Sequence, residues 1–326
     1  MTLPPDRMHP AGISSPDVNG CGRSPKRMLV FLVLACSASG CSFPGRPSIP
    51  SSPYPTEAGH GTPAVSSTVS LSSVANPFPS LTPSGGASVW WKPTPDITWQ
   101  WQLSGENTDT TFDVDVYDID LFETSAEVVA SLQLEGRRVV CYISAGSWED
   151  GRPDAGNFPK ETIGKDYEGW PGEKWLDIRQ IERLAPVLRA RMDLCKAKGF
   201  DAVEPDNVDG FEAETGFPLT AADQLRFNRW LAREAHARGL AVTLKNDPDQ
   251  IVDLLPDFDV ALTEDCFDQG WCDRTLPFVQ NGKPVLDAEY TDTGATLDSF
   301  CPRAKELGIR AILKHRNLDA WRQACP

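Results

Sequence analysis

The sequence has 326 residues, a formal net charge of −15 and an isoelectric point near 4.7. That length accommodates one large domain with accessory segments, and the acidic balance argues against nucleic acid, whose binding proteins present basic surfaces. It favours a cationic partner instead, and ten tryptophans with five tyrosines supply aromatic side chains of the kind that line sugar sites.

The first 41 residues have the pattern of an export signal. Lys26 and Arg27 precede a short apolar run at 28–35, and small residues lead from there to Cys41. The run falls short of a bilayer span, and its flanks are those of a signal peptide. Ala-Ser-Gly-Cys at 38–41 resembles the bacterial lipoprotein signal, in which the cysteine is lipidated and becomes the new N-terminus. We therefore expect a cell-surface or periplasmic lipoprotein that touches the membrane only through Cys41, or otherwise a secreted protein.

Residues 42–88 are rich in Ser, Pro, Thr, Gly and Ala and show no apolar periodicity. Such a segment buries too little apolar surface to offset the entropy lost on ordering. We predict a disordered linker, which as a flexible coil would span roughly 35–40 Å. The folded domain is predicted over 89–326.

From Val89 onward, strand patterns alternate with helix patterns. Helices are predicted over 124–135, 181–198, 221–238 and 298–307, each followed by a glycine suited to a left-handed C-terminal cap. Strands are predicted over 98–103, 114–120, 138–144, 175–178, 200–205, 240–246, 257–263, 283–288 and 309–315. The alternation indicates a parallel sheet, and the number of repeats predicts closure into a (β/α)8 TIM barrel. Nine strands are one too many, and the surplus strand is 175–178 or one of the first two.

Six cysteines fall within the predicted domain. An even set in an exported chain indicates disulfides, although six cysteines allow fifteen connectivities. We expect Cys266–Cys272 to close a local loop, Cys301–Cys325 to staple the C-terminal βα unit, and Cys141–Cys195 to join a strand to a helix. A metal site is the rival interpretation, but the sequence has no Cys-x-x-Cys pair and only four histidines. We expect no metal and no cofactor.

Polar residues gather where the predicted strands end. They include Asp118, Asp120, Glu149, Asp177, Glu204, Asp206, Asp209, Lys245, Asn246, Glu264 and Tyr290. Because barrel enzymes keep their chemistry at the carboxyl ends of the strands, this pattern predicts one acidic pocket. Acidic solvated loops are the plainer interpretation, but they predict equal charge at both strand ends, and the helix-to-strand turns are not comparably acidic.

The densest acidic group is Glu204, Asp206 and Asp209. A lone Asp here would more often cap the following helix, but three crowded like charges cost stability unless they serve a function. Paired carboxylates suit glycoside hydrolysis, in which one protonated carboxyl donates to the leaving oxygen while the other attacks the anomeric carbon or activates water. Asp206 and Glu264 lie on different strand ends and are the candidate pair, and crowding by Glu204 and Asp209 would raise the pKa of the acid.

Seven motifs taken together resemble glycoside hydrolase family 114, the endo-α-1,4-polygalactosaminidases. They are 99–103, 115–120, 141–149, 175–178, 204–209, 244–246 and 264–266, within about residues 90–325. The resemblance implies a TIM-barrel hydrolase whose strand-end aspartate falls on Asp206 and whose partner acid falls on Glu264, with Asp209 a second candidate for the first role. It also implies a cationic substrate, α-1,4-linked galactosamine that is partly or wholly de-N-acetylated, which an acidic pocket would attract.

The remaining rim residues are assigned to substrate contacts. Asp118, Asp120, Glu149 and Asp177 are candidates for binding amino groups, Glu204 and Asp209 for supporting the pair, and Trp148 and Tyr290 for stacking on sugar faces, although ordinary packing explains the aromatic residues equally well. Lys245 and Asn246 either bind a substrate hydroxyl or hold Glu264 in its ionised form.

Two alternative functions remain open: a barrel glycosidase for another glycan, and a surface lectin that holds the polymer without cutting it. The presence of both acids disfavours the lectin. Lys314 and His315 are candidates for ion pairs with the acidic rim, and we expect a monomer.

Overall fold

Parallel strands and the helices between them make up most of the described chain. The computed structural model describes residues 89–326. The predicted signal segment 1–41, which contains Cys41, and the predicted linker 42–88 lie outside the described residues, so these assignments stay predictions.

The secondary structure follows the predicted alternation. The strands are β1 (Trp99–Gln102), β2 (Val116–Asp120), β3 (Arg138–Ser144), β4 (Ser147–Glu149), β5 (Ile163–Asp166), β6 (Glu173–Leu176), β7 (Ala202–Asp206), β8 (Ala241–Lys245), β9 (Val260–Glu264), β10 (Val285–Tyr290), β11 (Arg310–Lys314) and β12 (Arg322–Ala324). The α-helices are α1 (Ala126–Leu134), α2 (Ile181–Lys198), α3 (Ala221–Ala237), α4 (Ile251–Leu254), α5 (Leu276–Gln280) and α6 (Leu297–Leu307). Within 89–326, no helix has the length and apolar character needed to cross a bilayer.

A single sheet forms the barrel wall, in the order β1-β2-β3-β7-β8-β9-β10-β11-β12. The strands from β1 to β11 in this order pair in parallel, and β12 pairs antiparallel with β11. The two edges meet through side-chain and loop bonds: the Trp99 indole donates to the Arg310 carbonyl at 2.8 Å, and the Leu103 amide donates to the Leu318 carbonyl at 2.9 Å. The (β/α)8 prediction is confirmed as a nearly closed barrel.

The surplus strand is the segment predicted at 175–178. It lies in β6, which pairs antiparallel with β4 and β5 in a separate three-stranded sheet. This small sheet is inserted between β3 and β7, so it stands beside the carboxyl end of the barrel.

Local sequence sets the ends of the predicted helices. Helix α2 ends at Gly199 (φ 96°) and α6 ends at Gly308 (φ 74°), a left-handed conformation that side chains rarely adopt. Helix α3 begins with a capping box in which Thr220 and Asp223 each bind the other's backbone N–H. The short helices α4 and α5 were not predicted, because they are too brief to show a helical period.

The barrel interior changes character along the strands. Near the strand starts the inward-facing residues are apolar, among them Val116, Val140, Ala202, Ala241, Val260 and Leu286. The alternate residues face the helices in a second apolar layer, as Val203 and Val242 do. Two or four positions further along the same inward faces lie Asp118, Tyr142, Glu204, Lys245 and Glu264. The strands therefore carry an apolar floor and a charged upper layer.

The six cysteines of the domain form three disulfides. These are Cys141–Cys195, Cys266–Cys272 and Cys301–Cys325, the pairs that were predicted. They join β3 to α2, close the loop after β9, and tie α6 to the chain end beyond β12. In the part of the chain that the structure describes, Cys266, Cys272 and Asp287 also have metal-ligand spacing. Their sulfurs are bonded to each other, however, so they offer no thiolate.

Candidate active site

Three neighbouring strands end in charged residues, and the side-chain nitrogen of one of them contacts the carboxylates of the other two. Strand β7 ends at Asp206, β8 at Lys245 and β9 at Glu264. The Lys245 Nζ lies 2.8 Å from Asp206 Oδ1 and 2.9 Å from Glu264 Oε2. Since both oxygens bind the same nitrogen, they lie within about 6 Å of each other, in the range where two carboxyl groups act on one glycosidic bond. The lysine thus bridges the predicted pair.

Glu264 is held as a carboxylate by several donors. The Tyr290 hydroxyl donates to Oε1, Lys245 binds Oε2, and Asn246 Nδ2 lies 3.4 Å from Oε2. Asn246 also accepts from the Glu264 amide at 3.0 Å, which fixes the turn at the end of β9. Burial opposes the charge, but Lys245 and the hydrogen bonds outweigh it and hold the pKa of Glu264 below its ordinary value. Of the two roles predicted for Lys245 and Asn246, these contacts favour holding Glu264 ionised.

Asp206 has a different set of partners. The Tyr142 hydroxyl donates to Oδ2 at 3.0 Å, while Lys245 binds Oδ1. Tyr142 comes from β3, which pairs in register with β7. Burial and the Asp206 charge raise the pKa of Tyr142 well above its ordinary value, so it remains a neutral donor. Tyr142 was not predicted, because within an apolar strand it has the appearance of a core residue.

An open cavity of about 350 Å³ lies over the Lys245 bridge. Its ionisable lining consists of Glu149, Glu173, Asp206, Asp209, Glu264, Lys245, Arg152 and Arg316, and its aromatic lining of Trp101, Tyr142, Tyr167 and Trp170. Carboxyl groups outnumber cations here, so the cavity favours cationic ligands. Trp170 is 44% exposed and stands at the opening, in the loop that leads into β6.

Two carboxyl groups in this cavity have pKa values raised above the ordinary range. Burial and then the charge of Asp206 raise the pKa of Asp209 to about 6. Burial raises the pKa of Glu173 to about 7, even though the Ser147 hydroxyl donates to it at 2.7 Å. Asp209 forms no ion pair with any residue of 89–326 and does not cap the short 3-10 helix Gly210–Glu212 that follows it. The capping interpretation therefore fails for Asp209, and both groups are accessible to a ligand.

Asp118 and Glu204 lie beneath the cavity. Both side chains are fully buried, and Glu204 Oε1 is 3.6 Å from Lys245 Nζ. Neither lines the open space. Their predicted contact with substrate is corrected to a position under the bridging lysine, because strand alternation gives the face of a residue but not its depth.

Three further candidates lie around the two cavities and do not line them. Asp177 is buried and accepts from Arg179 and Gln180, and the Trp148 indole donates to the Ala155 carbonyl. Tyr290 is buried with its hydroxyl on Glu264. The predicted stacking role of Trp148 and Tyr290 is therefore corrected to packing and positioning.

A second cavity, of about 380 Å³, adjoins the first and shares Glu149, Arg152 and Glu173 with it. Asp120 lines this second space, together with Glu123 and Asp150. Arg152 binds both Asp120 and Glu149 at 2.7 Å. The two cavities form one acidic groove that is longer than the pocket over Lys245.

Comparison with known proteins agrees with this geometry. The model of glycoside-hydrolase family GH114 matches residues 80–326. The chain belongs to glycoside hydrolase family 114. This family 114 protein is therefore a glycoside hydrolase, and the lectin alternative is set aside.

Solved structures of the same fold extend the comparison. Aspergillus fumigatus Ega3, crystallised in complex with galactosamine, is 37% identical with a TM-score of 0.70, over 73% of this chain and 98% of that chain. The glycoside hydrolase domain of Pseudomonas aeruginosa PelA is 13% identical with a TM-score of 0.56, over 70% of this chain and 98% of that one, and supports the fold alone. An uncharacterized protein of Deinococcus radiodurans is 25% identical over 225 residues, 60% of this chain and 69% of that protein.

Proposed function

We propose that this family 114 enzyme cleaves α-1,4-linked, galactosamine-rich polysaccharide within the polymer chain, with Asp206 and Glu264 as the catalytic pair. The observation that carries the proposal is the bridge at Lys245, which holds both carboxylates at the floor of an open acidic groove. Similarity to Ega3, whose crystals contain galactosamine, supports the sugar.

The proposed chemistry uses both carboxyl groups. One forms a bond to the anomeric carbon as the glycosidic C–O bond breaks, and the other gives its proton to the leaving oxygen. Water then attacks the same carbon, returns a proton to the second group and releases the first as a carboxylate. The spacing of about 6 Å or less is closer to the 5–5.5 Å of retaining enzymes than to the 6.5–9.5 Å of inverting ones. We therefore propose retention, which NMR of the first-formed product checks: an α-anomer supports it, and a β-anomer contradicts it.

Recognition of the substrate is proposed to rest on charge. Glu149, Glu173 and Asp209 line the groove and accept hydrogen bonds from ammonium groups of the polymer. Tyr167 and Trp170 offer aromatic faces at the opening. Because the groove is open and continues into the second cavity, a long chain lies across it, which is the geometry that cleavage within a polymer needs.

Product analysis on defined oligomers tests the proposal. Galactosamine oligomers are compared with glucosamine oligomers from chitosan, a polycation of different linkage, using wild type and the variants Glu264→Gln and Asp206→Asn. We expect internal cleavage of the first substrate only and loss of cleavage in both variants. Cleavage of chitosan alone points to another glycan, and equal cleavage by wild type and Glu264→Gln removes Glu264 from the mechanism.

We also propose that the protein is exported and held at a membrane by a lipid on Cys41. The support is the sequence of residues 1–41 alone. Metabolic labelling with a palmitate analogue and membrane fractionation check it, with Cys41→Ser as the variant. We expect label and membrane association in wild type and neither in the variant; label in both contradicts the assignment.

A further inference from the structure

The mechanism proposed above makes no use of Asp118 and Glu204, although both lie directly under it. Each side chain is fully buried. No N–H or O–H of the described residues donates to either carboxyl group. Two buried acids without donors are costly, since an unsatisfied buried carboxylate loses its hydration without compensation.

The two carboxyl groups satisfy each other only if they share a proton. Asp118 and Glu204 are within hydrogen-bonding range of one another, and burial followed by the neighbouring carboxylate raises the pKa of Glu204 well above its ordinary value. Two adjacent buried carboxylates do not both ionise, because like charges repel strongly there. The two groups are not both neutral, because the Lys245 ammonium lies 3.6 Å from Glu204 Oε1 and favours a negative charge there. One proton and one negative charge is the state that fits the contacts.

The position of this charge gives it a role. The Lys245 ammonium binds Asp206 at 2.8 Å and Glu264 at 2.9 Å, and Glu204 Oε1 lies 3.6 Å from the same nitrogen, too far for a hydrogen bond but close enough for a strong interaction between charges. During the reaction the carboxylate that bonds to the anomeric carbon loses its charge, while positive charge develops on the sugar next to Lys245. Without a further anion the lysine would then oppose the transition state.

We propose that Asp118 and Glu204 form a positioning pair that shares one proton and keeps a single negative charge beneath Lys245, where it balances the lysine while the catalytic carboxylates above change charge. The proposal rests on the catalytic roles assigned above. It predicts an effect on kcat rather than on KM, because neither side chain lines the groove.

Amide variants test the charge separately from the hydrogen bond. In Asp118→Asn or Glu204→Gln the amide donates to the remaining carboxylate, so one negative charge persists with nearly the same shape. The double variant keeps the shape and a hydrogen bond but has no charge. We expect each single change to lower kcat about 10-fold or less, and the double change to lower it by about 10³-fold or more, beyond the product of the singles, as coupled sites do. KM should stay within about twofold throughout, as for residues outside the groove.

Asp287→Asn is the matched control. Asp287 is a buried carboxyl whose pKa burial also raises well above its ordinary value, but its bond is to Thr263 and it faces the helix layer. We expect kcat to be unchanged in this variant. Melting temperatures of all variants identify any that fail to fold. A double variant that loses no more than the product of the single losses, or a raised KM in the single variants, overturns the proposal.

A readout without substrate separates this proposal from the catalytic one. The infrared spectrum of wild type minus that of Glu204→Gln at neutral pH should contain a positive band for the carbonyl stretch of one protonated carboxyl, which the variant lacks. Absence of that band overturns the shared proton whether or not the enzyme cleaves galactosamine. If the band is present but wild type does not cleave galactosamine oligomers, the shared proton stands and the proposed substrate is wrong. The effect of the pair on kcat is then overturned for that substrate.

Discussion

Buried carboxyl groups at the two ends of the barrel have opposite surroundings. At the amino end, Asp259 precedes β9, and both of its oxygens are occupied. Oδ1 accepts from the Trp90 indole at 3.0 Å and from Lys92 at 2.8 Å, and Oδ2 lies 2.8 Å from His236 and 3.2 Å from the Val242 amide. Burial opposes its charge, but these partners hold the pKa of Asp259 below its ordinary value.

At the carboxyl end, three of the carboxyl groups around the Lys245 bridge are only partly satisfied. Asp118 and Glu204 have no outside donor, and Asp209 has no ion pair within residues 89–326. Their pKa values are raised, where that of Asp259 is lowered. The partners of Asp259 hold neighbouring parts of the chain together, whereas Asp118, Glu204 and Asp209 keep unused acceptor oxygens that are available for a ligand or a proton. Burial alone does not separate these two uses; the partners do.

The largest expected effect comes from exchanging one residue at each end for its amide. Glu264→Gln should lower kcat by about 10³-fold or more with little change in melting temperature, because it removes one of the two carboxyl groups proposed to react. Asp259→Asn should leave kcat within about twofold, because it is on the far side of the barrel from the groove. Steady-state kinetics and thermal unfolding measure both, and a large loss of kcat in Asp259→Asn would break the contrast between the ends.

Replacing the bridging lysine should have the next largest effect. Lys245→Met leaves Asp206, Glu204 and Glu264 without their common cation, so the pKa of Glu264, which Lys245 holds down, should rise. We expect kcat to fall about 10²-fold and the acidic limb of the pH–rate profile to move to higher pH, about the scale of one lost electrostatic group. Lys245→Arg, which keeps the charge, is the control. An unshifted acidic limb in Lys245→Met contradicts the role of the lysine.

The free energy of unfolding should respond to the Asp259 variant at the amino end of the barrel and not to the Glu264 variant at the carboxyl end, which is the reverse of the effect on kcat. Asp259→Asn should lower the free energy of unfolding by about 1.5–3 kcal/mol at neutral pH, because the buried carboxylate loses its charge-assisted hydrogen bonds to Lys92, Trp90 and the Val242 amide. The sign of the pH dependence follows from the lowered pKa: the contribution of Asp259 is fully present above its ordinary pKa of about 4 and is lost as the pH falls through the folded value. The difference between wild type and variant should therefore shrink below pH 4 or so.

Asp257→Asn provides the comparison for this measurement. Asp257 pairs with Arg229 at 3.3 Å, but both side chains are partly exposed. An exposed pair contributes about 0–1 kcal/mol, so this variant should barely change denaturant unfolding. An equal loss in both variants would show that the surrounding donors of Asp259 do not matter.

The smallest effect is expected at Lys314, a buried lysine at the rim that contacts no carboxylate of residues 89–326. It donates to the Asp319 carbonyl at 2.6 Å, and burial lowers the pKa of Lys314 to about 7. The predicted ion pair with the acidic rim is therefore wrong for Lys314. Since the unfolded chain holds this proton up to pH 10 or so, the lysine costs stability as the pH falls from there to about 7.

Lys314→Met should remove that cost. We expect the variant to gain stability relative to wild type at pH 6 and the gain to vanish near pH 10, measured by denaturant unfolding at both values. A gain that does not depend on pH would show that packing, and not the charge, is responsible.

The barrel could be predicted from the sequence because the end of each helix and the start of the next strand are marked by local residue patterns. Gly199 and Gly308 mark helix ends, and a short apolar segment directly after each of them is typical of a buried parallel strand. The strand at 175–178 was miscounted for a physical reason: a strand of four residues looks the same in a barrel wall as in an inserted sheet. Only its partners, β4 and β5, distinguish the two.

The sequence predicted which side chains point into the barrel, but not how far below the cavity each of them lies. Asp206, Lys245 and Glu264 each end a strand, so their meeting followed from parallel alignment. Glu204 shares the inward face of Asp206 but lies one layer lower, and no pattern shows that. Glu173 was missed because it reaches the cavity from the inserted sheet. The position of Tyr142, two residues before the end of β3 on the inward face, was the signal that would have found it.

The attachment of Trp90 and Lys92 beside Asp259 has a consequence for how the enzyme meets a polymer. These residues join the barrel at the end away from the groove. The contacts that hold these first described residues and the contacts that a sugar chain would make in the groove therefore lie on opposite faces of the barrel, and neither set excludes the other.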